Sequence, residues 1–223
     1  MDNFIVLIPP SEGKAEGGGG EPLKQYPRGV EEIHKRFLKY DGSYKHLIGV
    51  RGDYLEKSIE RNKNILETPT MPAIQRYTGT VYKYLDYETV ENKEYLHSHI
   101  YITSAMFGLV KATQEIPNYK LKMSKLRAYK WWKKKTKKFL EDFFVVDVLT
   151  TTHRKSVSYE EGIEIDFKIA RDDGTLRGAG HSGKKIKGKF VRYLAEKNVT
   201  TLEGIKEFSR DGFSWEDGSF VRT

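Results

Sequence analysis

The sequence predicts an α+β fold: a single compact mixed-sheet domain over residues 1–223, with helices packed around the sheet. Three observations lead there. Short apolar runs that read as strands alternate with longer stretches whose apolar residues recur at three- and four-residue steps. The chain is 38% hydrophobic and 13% aromatic, a composition that disordered chains lack. No internal repeat, heptad series or long linker divides its 223 residues.

In chain order, Phe4–Ile8 is apolar throughout and stopped by Pro9-Pro10, which predicts a short buried strand. SEGKAEGGGGEPL then reads as a loop. Val30, Ile33, Phe37 and Leu38 mark a helix over 29–40; Leu55, Ile59 and Ile65 mark another over 53–66, closed by Pro69 and Pro72. Residues 73–87 are dense in tyrosine and place Gly79 inside YTGTVY, a sign of close backbone approach. Ile100–Thr103 predicts a strand, and SAMFGLV a strand-to-helix turn carrying Ser104 and Gly108. A helix is expected over 124–143, with Leu126, Tyr129, Trp132, Thr136, Leu140 and Phe143 on one face. Trp131, beside that stripe, is either buried or free to stack on a base. Strands follow at Phe144–Thr150 and Ile163–Ala170, then a helix over 185–198, then a tail alternating aromatic and turn residues.

The absence of cysteine excludes disulfides, cysteine-ligated zinc, iron–sulfur clusters and a thiol nucleophile. The six histidines include no HxxxH pair, so no metal site is expected, and no cofactor motif is present. The N-terminus reads as neither a signal peptide nor a membrane span, and no apolar run elsewhere nears the ~20 residues needed to cross a bilayer. A cytoplasmic protein, most simply a monomer, is expected.

The net charge of +8 is unevenly placed. Residues 111–140 hold eleven Lys/Arg against the single acid Glu115, a balance of +10, so the rest of the chain sums to −2. Lys130, Lys133, Lys134, Lys137 and Lys138 fall opposite the apolar stripe of the expected helix. Such mutually repelling ammonium groups favour an anionic partner, and a nucleic-acid backbone supplies one. Lys120, Lys122, Lys125 and Arg127 precede them and would also meet phosphates.

Two turns could carry chemistry. PPSEGK presents Ser11, Glu12 and Lys14 at a strand end, where ligand sites of open sheets gather; its glycine spacing is not that of a Walker loop. GHSGKKIKGKFVR at 180–192 sets His181, Lys184 and Lys187 at a helix start, an arrangement suited to an anion, with Arg192 further along the same cleft. Lys14 and Lys184, each after a glycine-containing turn, are expected to converge on one anionic group. An enzyme acting on a nucleotide or nucleobase is the rival to a pure binding protein. Its site would draw on Ser11, Glu12, Lys14, Tyr82, Ser104, His181 and Lys184. Glu12, Lys14 and His181 would carry the chemistry, Lys14 as an amine attacking a sugar aldehyde.

PPSEGK, YTGTVY, SAMFGLV leading into IPNYKLKM, the Trp-bearing helix and KKIKGKFVR occur in an order and spacing that resemble the YaaA family of bacterial peroxide-stress proteins, from Phe4 to about Phe220. Lys14, Gly79, Tyr82, Ser104, Gly108, Tyr119, Lys120, Leu121, Lys184, Lys187 and Gly188 match the family pattern. The resemblance implies a helix-hairpin-helix-like element, a positively charged cleft, binding to duplex or distorted DNA, and protection against hydrogen peroxide. TTTHRKS at 150–156 departs from the Ser-x-Glu-Tyr type segment of many relatives, and the tail lacks the acidic extension of some.

Overall fold

The computed structural model describes residues 3–223; Met1 and Asp2, with which the N-terminal reading begins, lie outside them. The strands are β1 (Phe4–Ile8), β2 (Thr70–Pro72), β3 (Ile100–Ser104), β4 (Gly108–Lys111), β5 (Glu115–Pro117), β6 (Phe144–Asp147), β7 (Gly162–Glu164), β8 (Phe167–Ala170), β9 (Leu176–Gly178), β10 (Phe213–Glu216) and β11 (Ser219–Arg222). The helices are α1 (Val30–Leu38), α2 (Tyr44–Ile48), α3 (Asp53–Lys63), α4 (Ala73–Arg76), α5 (Thr80–Leu85), α6 (Lys93–His99), α7 (Ala128–Leu140), α8 (Thr151–Arg154), α9 (Gly180–Glu196) and α10 (Leu202–Lys206). This is an α+β fold, as the sequence predicts.

The central sheet has the order β4-β3-β1-β6-β7. β3, β1, β6 and β7 run parallel, and β4 closes one edge antiparallel. β1 sits in the middle with both faces covered, which is why FIVLI is apolar without alternation. Phe4, Val6 and Ile8 join the main core; Ile5 and Leu7 point the other way, to Leu140, Val145, Leu149 and Val157. α7 therefore sends Leu140 under the sheet while its Ala128 and Trp132 join the main core. A second sheet, β10-β11-β8-β9, packs Phe167, Phe213 and Phe220 against Phe190 of α9 and Phe208, so the aromatic tail belongs to the same core. A third sheet pairs β2 with β5. α1, α2 and α3 build a satellite cluster on Phe37, Leu47 and Ile48.

Four expectations change. SAMFGLV is a hairpin, not a strand-to-helix turn: Ser104 pairs with Gly108, whose φ of 77° suits glycine. The basic helix starts at Ala128 rather than 124, because Leu126 and Arg127 adopt left-handed φ of 52° and 55°. Leu126 consequently leaves the helical stripe and packs on the satellite cluster. The strand expected at 163–170 is two strands in two sheets, since β7 pairs with β6 and β8 with β11. One alternating pattern served both, with Ile165 buried at the crossing. The last long helix begins five residues early, at Gly180. A helix-hairpin-helix is not established by these contacts.

α5 lies directly on α9, and Gly188 makes this possible: a methyl group there would run into the Val81 carbonyl and the Leu85 amide of α5. Both are backbone atoms and cannot swing aside. Gly188→Ala is therefore expected to destabilise by about 1–3 kcal/mol, the usual range for overpacking. Chemical unfolding measures it; an unchanged midpoint would mean that the two helices separate without cost.

Candidate functional site

The parallel strands β1, β3 and β6 end at the same edge of the central sheet, where ligands of such sheets bind. Pro9-Pro10 ends β1, and the following loop is held by α4 and the residues after it. Thr78 donates to the Gly13 carbonyl, Ala15 to that of Arg76, and Lys14 bridges Tyr77. PPSEGK and YTGTVY are thus two sides of one structure. The loops after β1 and β6 border two adjoining cavities, of about 260 and about 690 Å³, which share Pro10, Ser11, Glu12, Thr150 and His153.

Arg76 organises the glycine-rich loop. Its fully buried guanidinium donates to the carbonyls of Ala15 and Gly17 at 2.7 and 2.8 Å, and to Pro69 and Ile116. Nothing in its local sequence distinguishes it from a surface arginine.

Lys14 lines the smaller cavity. Its Nζ donates to the Ser11 carbonyl at 3.2 Å and lies 4.3 Å from the Tyr119 ring centroid and 5.1 Å from that of Tyr77. These rings are fixed: Tyr77 and Tyr119 share a hydrogen bond of 3.0 Å, and Tyr119 meets Ser104 Oγ at 2.8 Å. Burial lowers the Lys14 pKa to about 7, Lys120 and Arg76 add to the drop, and Glu12 opposes it. Burial also lowers Lys120, whose Nζ donates to the Glu12 carbonyl at 2.7 Å beneath the ring of Tyr54.

This pKa makes stability depend on pH. Unfolded, Lys14 titrates near 10.5; folded, near 7. Between those values the unfolded chain binds a proton that the folded chain does not, so this residue's contribution to stability rises with pH across the window. Below pH 7 both states are protonated and the cost of burying the cation is felt in full. Lys14→Met should lose the rise and, at neutral pH, melt no lower than the parent. A variant that melts far lower would show a structural lysine.

On the shared wall, His153 lies in the short helix α8. Its Nδ1 is buried with no hydrogen-bond partner among the described residues, and burial lowers its pKa to about 4. It is a neutral imidazole at pH 7. It falls in the segment that departs from the family pattern, so no motif in the sequence marks it. The larger cavity is bounded by the first turn of α9, which has no side-chain cap, and by exposed Lys184.

The other sequence-derived candidates are placed variously. Lys122 lines the smaller cavity with Lys120. Lys14 and Lys184 border different cavities rather than one, with Ser11, Glu12 and His153 between the two. Lys187 is buried and donates to the Val148 and Leu149 carbonyls at 2.6 and 2.8 Å, so it ties α9 to the end of β6. Burial brings its pKa down to about 8. Tyr82 donates to the Pro9 carbonyl at 2.9 Å. Ser104 is fully buried, accepts from the Phe107 amide and meets Tyr119, so its hydroxyl faces no cavity. His181 is exposed and lines neither cavity. Arg192 does not share the cleft: it lies on another surface, paired with Glu196, Asp86 and Thr89.

Lys130, Lys133, Lys134, Lys137 and Lys138 are exposed along α7, and among the described residues only Lys137 lies near carboxylates, Glu141 and Glu160 at 3.9 Å each. Lys125 is half-buried and Arg127 exposed in the turn before them. Trp131 is half-buried, donates to the Gly29 carbonyl at 3.0 Å and has Arg36 and Lys135 over its ring, so it is not a free stacking platform. Among the described residues no group of three or more histidine or carboxylate side chains is placed to hold a metal ion, and no helix is long and apolar enough to cross a membrane.

Comparison with known proteins matches residues 4–218 to the family model described as peroxide stress protein YaaA. A UPF0246 protein of Corynebacterium glutamicum (strain R) is 29% identical over 229 residues, covering 93% of this chain and 92% of the relative. One from Fusobacterium nucleatum is 26% identical, covering 76% of this chain and 73% of its own, and one from Desulfitobacterium hafniense (strain Y51) is 29% identical, covering 66% and 65%.

Proposed function

The chain belongs to the peroxide stress protein YaaA family, and from that membership we propose that it is a cytoplasmic DNA-binding protein that protects duplex or distorted DNA during peroxide stress. One observation carries the reading: the ammonium groups of α7 stand in solvent with scarcely a carboxylate to neutralise them. A phosphate backbone would relieve their repulsion and release its own counterions. Contacts of this kind position a duplex but read little sequence, so preference should follow shape or damage. The strand-end cleft gives damage a place to enter. An unstacked nucleotide could set its phosphate against Lys120 and Lys122.

The test is a salt titration on plain duplex, bubble and abasic-analogue DNA. If about six lysines meet phosphates, log K should fall with log salt at a slope near −5 on duplex, from about −0.9 per phosphate. Bubble and abasic-analogue DNA should bind more tightly than duplex. No binding at low salt, or a slope near zero, would end the DNA reading.

A further inference from the structure

We propose that Lys14 condenses with the open-chain aldehyde of a phosphorylated sugar, forming an imine inside the smaller cavity. The setting differs from that of a lysine used for structure. Lys187 is such a lysine, with two carbonyl acceptors at 2.6 and 2.8 Å. Among the described residues Lys14 has a single, longer contact of 3.2 Å and no carboxylate within ion-pair distance. Its Nζ is wedged against two tyrosine rings whose hydroxyls are already satisfied by each other and by Ser104. It nevertheless faces a cavity of about 260 Å³, a space for a sugar phosphate rather than a large ligand. Lys120 and Lys122 on the same wall are suited to the phosphate.

The amine is an effective nucleophile only when unprotonated, and desolvation beside other cations favours that form. The Nζ lone pair attacks the aldehyde carbon and the carbonyl π pair moves to oxygen. The resulting carbinolamine then loses its oxygen and the amine's two protons as one water, leaving C=N; nothing is oxidised or reduced. Glu12 lines the same cavity and can carry the proton to the departing oxygen. The aldehyde has two possible sources with this chemistry: an abasic site in DNA, which rests on the DNA-binding reading, and a free sugar phosphate, which does not.

Borohydride trapping tests the proposal. The full chain is incubated with duplex carrying an abasic site and, separately, with 2-deoxyribose 5-phosphate. The imine is reduced and the modified residue found by peptide mass spectrometry. Binding to the same duplex with an unreactive tetrahydrofuran abasic analogue is measured in parallel and reports on DNA binding alone. The expected result is an adduct on Lys14 whose rate rises through about pH 7. The charged and titratable groups around that amine are Glu12, Lys120, Arg76, Tyr77 and Tyr119, with Lys122 and His153 on the cavity wall. The adduct should be lost in Lys14→Arg, which keeps the cation. An adduct with abasic DNA alone assigns the DNA source; one with the free sugar assigns the other, even if the tetrahydrofuran duplex does not bind. Mapping on the parent protein needs no variant to fold. No adduct from either aldehyde, or adducts on other amines with Lys14 unmodified, would overturn the proposal.

Discussion

Trp132→Ala is expected to lower the free energy of unfolding by about 3–5 kcal/mol, the range for truncating a buried aromatic. Trp132 is 3% exposed, and its indole N–H donates to the Ala105 carbonyl at 2.9 Å. The ring rests on Gly108 of the β3–β4 hairpin, so close that a methyl group there would collide with it, and lies in tight contact with Gly29 at the start of α1. One side chain therefore fastens α7 to a hairpin and to a second helix. Glycine backbone does not collapse into the space left behind, so the cavity should persist, and the Ala105 carbonyl loses its donor in a buried setting. Urea unfolding should show a lower midpoint with an unchanged slope. If stability were unchanged while DNA binding vanished, the indole would be a contact surface and the lysine face of α7 would be misassigned.

What the sequence disclosed follows from where its information is local. β1, α1, α3 and the lysine face of α7 each show themselves in an unbroken stretch, and all lie as read. The PPSEGK turn is legible too, because two prolines and a glycine act on their own neighbourhood. What escaped is made by distant residues. Ile163–Ala170 alternates correctly, but no pattern inside it tells that its halves pair with different sheets. Arg76 is a core residue only because carbonyls from three separate segments turn toward it. Ser104 satisfies the same polar criteria as Lys14, yet the fold spends its hydroxyl on internal bonds to Tyr119 and the Phe107 amide. His153 reaches the cleft because β6 ends beside β1, a parallel pairing of segments about 140 positions apart. Arg192 shares a helix with Lys184, but the helix turns it to a surface already supplied with acids.

Replacing Lys133, Lys134, Lys137 and Lys138 together with Gln should separate binding from folding. All four are exposed, and none lies on the buried stripe of Ala128, Trp132, Thr136 and Leu140. Glutamine keeps the helical propensity and the length of chain, and it relieves ammonium repulsion, so thermal stability should hold or rise slightly. If each lysine meets one phosphate, the salt slope should lose about 0.9 per lysine, falling from near −5 to between about −1 and −2. Extrapolated from 1 M to physiological salt, that is about a thousandfold loss of duplex affinity, the larger because counterion release supplies most of a binding mode without base contacts. The loss should be nearly uniform across sequences, since phosphates carry none. It should also leave reaction of Lys14 with free 2-deoxyribose 5-phosphate intact, because none of the four residues lines the smaller cavity. Two results would count against the assignment: an unchanged slope, which would move the DNA to another face, and a collapse in melting temperature, which would place these lysines in the structure rather than on its surface.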